Sequence, residues 1–123
     1  MSLKTGVQYI ESIKSLNLES HILGKKETGL TDHALVRPSV SAVAATYEGA
    51  HSADEQTRKI FRVRSPLCDA EVNRFSHLHQ SPQDLMNNVI MQRRCGNLTG
   101  CCFQRCVGMD AANAVFSVSF ECD

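Results

Sequence analysis

Six cysteines stand in a chain of 123 residues, and Cys95, Cys101, Cys102 and Cys106 crowd into one short stretch. The first residues, Met1-Ser2-Leu3-Lys4-Thr5-Gly6, lack the apolar core of a secretory signal. A disulfide framework is therefore a poor default, and packing has to hold the fold. Cysteines grouped this way give weight to metal or redox chemistry instead. Cys68 and Cys122 stand apart from the group.

The length is that of one domain with a single core. Apolar residues make up 42% of the chain, within the globular range. Thirteen Lys and Arg balance 13 Asp and Glu, so the formal net charge is zero. That balance gives no general electrostatic case for nucleic acid or an anionic membrane. No run approaches the roughly 18 apolar residues that a membrane span needs. The expectation is a cytoplasmic protein with neither nucleic acid nor membrane as partner.

The periodicity is mainly helical. Thr5 to Leu18 reads as a first helix, with Thr5 as N-cap and Val7, Ile10, Ile13 and Leu16 at helical spacing. Gly24 and Gly29 bracket a polar stretch, which predicts a small β hairpin near 20–29. Pro38 opens a second helix whose stripe is Val40, Val43, Ala44 and Tyr47, fading near His51. Residues 53–75 carry little pattern. Arg58, Lys59, Arg62 and Arg64 form a basic patch there, read as a solvated face, with an anionic ligand such as a CoA phosphate as the sharper alternative. Ser81-Pro82-Gln83-Asp84 is a helix start, with Leu85, Met86, Val89 and Ile90 as its expected buried face. Gly96 and Gly100 punctuate the chain, and a further segment runs from about Cys101 to Phe116. The tail from Phe116 to Cys122 alternates like a strand but also fits a helix end.

Cys102 and Cys106 are four residues apart. On a helix that puts them on one face, about 6 Å apart along the axis. Two thiolates so placed can grip one metal centre but are badly placed for a disulfide. Arg105, beside Cys106, favours the thiolate. The plain alternative is that both are small apolar packing residues. The sequence has no Cys-x-x-Cys pair, no P-loop and no Gly-x-Gly-x-x-Gly. Position 109 is Met, which removes a third cysteine at radical-SAM spacing. Two ligands do not complete an iron–sulfur site, which takes four. His77 and His79, just before the Ser81 cap, make a weak metal pair and fit polar or capping roles better.

Thr5-Gly6-x-Gln8-Tyr9-Ile10-Glu11-Ser12 and His33-Ala34-x-x-Arg37-Pro38-Ser39 resemble the N-terminal region of the 4-hydroxyphenylacetate 3-hydroxylase family. Leu78-His79-Gln80-Ser81, Met91-Gln92-Arg93 and Cys102-Phe103-Gln104-Arg105-Cys106-Val107-Gly108-Met109-Asp110-Ala111 resemble one branch of it more closely. That branch is the 4-hydroxybutyryl-CoA dehydratase/vinylacetyl-CoA Δ-isomerase branch. The likeness runs over nearly the whole chain and is weakest from 52 to 70.

The resemblance implies a fold: the N-terminal helical domain of the acyl-CoA dehydrogenase-like flavoprotein architecture, mainly α. Residues 1–123 would be that domain alone, without the middle β domain and the C-terminal helical domain of the much longer relatives. It also implies a lyase/isomerase using FAD and a [4Fe–4S] cluster, acting on an acyl-CoA substrate by a flavin radical mechanism, and assembled as a homotetramer. Cys102 and Cys106 would be two cluster ligands, with a His and a further Cys from outside this chain. Arg93 would bind the flavin and substrate, and Gln104 would face the same cavity. Cys95 and Cys101 would be packing residues. On this reading the chain alone should hold neither a stable cluster nor flavin. The alternatives are a flavin-dependent aromatic hydroxylase of the same family and a helical interaction module without chemistry.

Overall fold

The computed structural model describes residues 3–100 and 105–122, of which 105–107 and 120 are described by backbone alone. Helix α1 spans Gly6–Lys14. Thr5 accepts the N–H of Gln8 at 3.2 Å and donates its own N–H to the Gln8 side chain at 3.0 Å. This reciprocal cap satisfies donors that the first turn leaves free. The helix stops four residues short of Leu18; Leu16 and Leu18 are exposed.

The predicted hairpin is present as β1 (Ser20–Ile22) and β2 (Lys25–Glu27), with Ser20 opposite Glu27 and Ile22 opposite Lys25. Leu23 and Gly24 form its turn, with φ of 50° and 80°. Two positive φ values in a two-residue loop match the twist of the strands, and Gly24 adopts one without cost.

Helix α2 spans Arg37–Glu48 with Pro38 in its first turn, as expected. It packs on α1 at close range. The Gly6 N–H donates to Glu48 Oε1 at 2.6 Å. Tyr9 stacks on Tyr47 with centroids 5.0 Å apart, and Tyr47 meets the edge of Phe75 at 5.1 Å.

Residues 53–75 hold structure that their pattern hid. Helix α3 spans Glu55–Phe61, capped by Asp54, which accepts the Thr57 N–H at 2.8 Å. An antiparallel pair follows, β3 (Arg62–Ser65) and β4 (Ala70–Asn73), with Val63 opposite Val72. Arg74, 7% exposed, ties the unit together. Its guanidinium donates to the carbonyls of Ile60 at 2.7 Å, Lys59 at 3.0 Å and Arg62 at 2.9 Å. Those carbonyls include ends that the last turn of α3 cannot satisfy, so the cation serves as a helix cap.

Helix α4 spans Pro82–Thr99 and ends at Gly100, whose left-handed backbone closes it. Gly96, read as a break, lies inside it. Helix α5 spans Arg105–Cys122, so the alternating tail is helical. The core joins Ala50 and Phe61 to Met91 and Cys95 of α4 and Met109 of α5, with Leu3, Ile60 and Phe75 against its edge. The buried face of α4 differs from the one expected. Leu85, Met86 and Ile90 are about half exposed, while Asn88, Met91 and Cys95 are buried. Two stripes compete on α4, and the one carrying a buried asparagine packs inward.

Candidate functional site

The motif with the chemistry lies where α4 hands over to α5. Cys102 and Gln104 fall outside the described residues, and Cys106 is placed by backbone alone, in the first turn of α5. In donor chemistry the pair suits an iron–sulfur group as far as it goes: two thiols, the ligand type that such a cluster takes. Among the described residues, no cluster of three or more His, Cys, Asp or Glu can hold a metal.

Arg93 lies on α4 and is exposed. It faces away from the stripe formed by Met91 and Cys95, because positions two apart on a helix point to nearly opposite sides. Cys95 is 4% exposed in the apolar core, the packing role expected for it. Cys101 lies outside the described residues.

The segment between β4 and α4 is richer in polar contacts than its sequence suggests. His77 is 5% exposed, and its Nε2 lies 3.4 Å from Asp84 Oδ2. Asp84 also accepts the Gln80 N–H at 3.0 Å and the Ser81 hydroxyl at 3.2 Å. Burial pushes its carboxyl up, but the Gln80 N–H, the His77 ring and the Ser81 hydroxyl outweigh that and hold it below its ordinary value. Asn88 Nδ2 lies 3.2 Å from His79 Nε2. The His79 N–H donates to Asn113 Oδ1 at 2.7 Å, and Asn113 Nδ2 donates to the Met109 carbonyl at 2.9 Å. His77 and His79 thus hold polar positions beside α4 and α5. Asn88 and Asn113 were not singled out from the sequence, and Asp84 was read there only as part of a helix start. An asparagine at a buried helix position is the signal that could have found Asn88.

The basic patch is consumed locally. Lys59 pairs with Glu55 at 2.7 Å, Arg62 with Glu71 at 2.9 Å and Arg64 with Asp69 at 2.8 Å. Arg62 also donates to the Ala50 carbonyl, and Arg58 donates to the Ser52 carbonyl at 2.8 Å. These pairs fit a solvated face of the fold.

Comparison with known proteins agrees with this geometry. Residues 5–123 match the family described as 4-hydroxyphenylacetate 3-hydroxylase N terminal. The chain is 48% identical over 121 residues to the 4-hydroxybutyryl-CoA dehydratase/vinylacetyl-CoA-Delta-isomerase of Clostridium aminobutyricum, covering 98% of this chain and 24% of the relative. It superposes with a TM-score of 0.89 and 39% identity on an oxygen-tolerant archaeal 4-hydroxybutyryl-CoA dehydratase from N. maritimus, covering 99% of this chain and 24% of that one. The chain thus spans about a quarter of the length of these relatives. It belongs to the 4-hydroxyphenylacetate 3-hydroxylase family, and within that family it is similar to the 4-hydroxybutyryl-CoA dehydratases.

Proposed function

We propose that this chain is the N-terminal helical domain of an enzyme that converts 4-hydroxybutyryl-CoA to crotonyl-CoA and isomerises vinylacetyl-CoA. The observation that carries the reading is the 48% identity over 121 residues to a relative of that name. A second observation supports a domain within a larger assembly. Leu85, Met86 and Ile90 on α4 are 50%, 56% and 46% exposed, and Val115, Phe116 and Val118 on α5 are 66%, 39% and 59% exposed. That much apolar surface on neighbouring helices fits burial against further polypeptide.

On this reading the enzyme uses FAD and a [4Fe–4S] cluster. Cys102 and Cys106 would supply two of the four cluster ligands. When bound, the flavin supplies one-electron chemistry and the cluster a Lewis-acidic iron for the departing hydroxyl. The chain's own part is to hold and orient. Cys106 and Cys102 would each offer a thiolate, the form in which cysteine ligates iron. Arg93, exposed and charged on α4, is available to an anionic or carbonyl group of flavin or substrate. Gln104, inside the motif, would bring an amide donor and acceptor to the reaction. The enzyme is proposed to be cytoplasmic and to assemble as a homotetramer.

The test is to purify the full-length polypeptide without oxygen and supply 4-hydroxybutyryl-CoA. Formation of crotonyl-CoA is the expected result. Hydroxylation of an aromatic substrate with reduced flavin and oxygen, and no action on the CoA ester, would place the protein among the hydroxylases of the family.

A further inference from the structure

We propose that Asn113 is a positioning residue for the cysteine motif: it fixes how α5 sits against α4, and so where the helix turn bearing Cys106 is held. The proposal rests on the reading of Cys102 and Cys106 as cluster ligands.

Helix α5 is anchored near its start. Met109, 7% exposed, joins the core. One turn later Asn113 uses both ends of its amide, accepting the His79 N–H at 2.7 Å and donating to the Met109 carbonyl at 2.9 Å. Beyond it, Val115, Phe116 and Val118 are exposed. The segment that Asn113 grips is in turn tied to α4, through Asn88 Nδ2 and His79 Nε2 at 3.2 Å and through the Gln80 N–H and Asp84 Oδ2 at 3.0 Å. A run of polar contacts therefore joins α5 to α4 through the segment that precedes α4.

The geometry explains why the second anchor matters. Burial of Met109 in the core does not by itself set the angle of the helix, because burial has no direction. A hydrogen bond has direction, and one placed a turn further on removes the rotation. At about 1.5 Å of rise per residue, Cys106 lies about 4.5 Å along the axis from Met109 and about 10 Å from Asn113. A small turn at the anchors moves the first turn of α5 directly. An apolar residue at 113 would bury area but would not set this angle. The grip is on the backbone of His79, so the contact does not depend on the imidazole.

The test uses the full-length enzyme, purified without oxygen, as wild type, Asn113→Ala and Asn113→Asp. Iron and acid-labile sulfide per chain are measured, then the release of iron to a chelator, with circular dichroism as the check on folding. Partners that orient metal ligands change metal affinity by about 10- to 100-fold when removed. Asn113→Ala is expected to lose iron about tenfold faster or more at unchanged helix content. Asn113→Asp keeps the acceptor for the His79 N–H and is expected to retain iron better than Asn113→Ala. Iron held equally by wild type and Asn113→Ala overturns the positioning role, as does an Asn113→Asp protein that loses iron as fast as Asn113→Ala. Wild-type protein without iron overturns the cluster reading beneath it, a result separate from the other two.

Discussion

Gly49 meets the ring of Phe61 so closely that a Cβ there would lie 2.6 Å from Phe61 Cδ2. Phe61 is fully buried and cannot swing away. Gly49→Ala should therefore destabilise the fold by about 1–3 kcal/mol, the usual range for overpacking. The shift is measurable as a lower denaturation midpoint. Asp84 sets a pH dependence. Its folded pKa lies below its unfolded value, so its contribution is present above the unfolded pKa and is lost as pH falls through the folded one. Stability should decline as pH drops below about 4, and Asp84→Asn should flatten that part of the profile. Neither contact was legible in the sequence. A glycine's close neighbour and an aspartate's partners are set by tertiary packing. In the sequence Asp84 showed only as an acid in a first helical turn.

Element starts were far more legible than element faces. Thr5, Pro38 and Ser81 each mark a helix start that the structure bears out, because the signals are local: Thr5 and Ser81 cap by hydrogen bond, and Pro38 suits a first turn, where no backbone N–H is needed. Ser81 accepts the Asp84 N–H at 3.2 Å. Ser81→Ala should cost about 1 kcal/mol and show first as faster amide exchange in the opening turn of α4. The hairpin near 20–29 was legible for a similar reason, its turn residues being local. Helix α3 and the β3–β4 pair were not. Seven helical residues are too few to show a period, and both strands are short and carry charge. The missing piece is a distant side chain: Arg74 caps the end of α3 across the hairpin. The face of α4 misled for the opposite reason. Its more apolar stripe points outward, and Asn88 points inward to meet His79.

For the whole molecule, the fold and the family were legible from motifs spread along nearly the full chain, and the TM-score of 0.89 to a dehydratase bears out the mainly helical fold. Of the proposed site only two cysteines at a helical spacing were legible, because a spacing shows a pair and not the further ligands a cluster takes. On the proposed reading, the exposed apolar residues of α4 and α5 are surface for contact with further polypeptide. The most direct measurement is the iron, acid-labile sulfide and FAD content of the full-length polypeptide purified without oxygen, alongside Cys102→Ala and Cys106→Ala. About four iron per chain, together with bound FAD, is expected in the wild type, with the iron lost in both variants. FAD without iron, unchanged by either substitution, would contradict the cluster and leave the two cysteines as packing residues of a flavin-dependent hydroxylase.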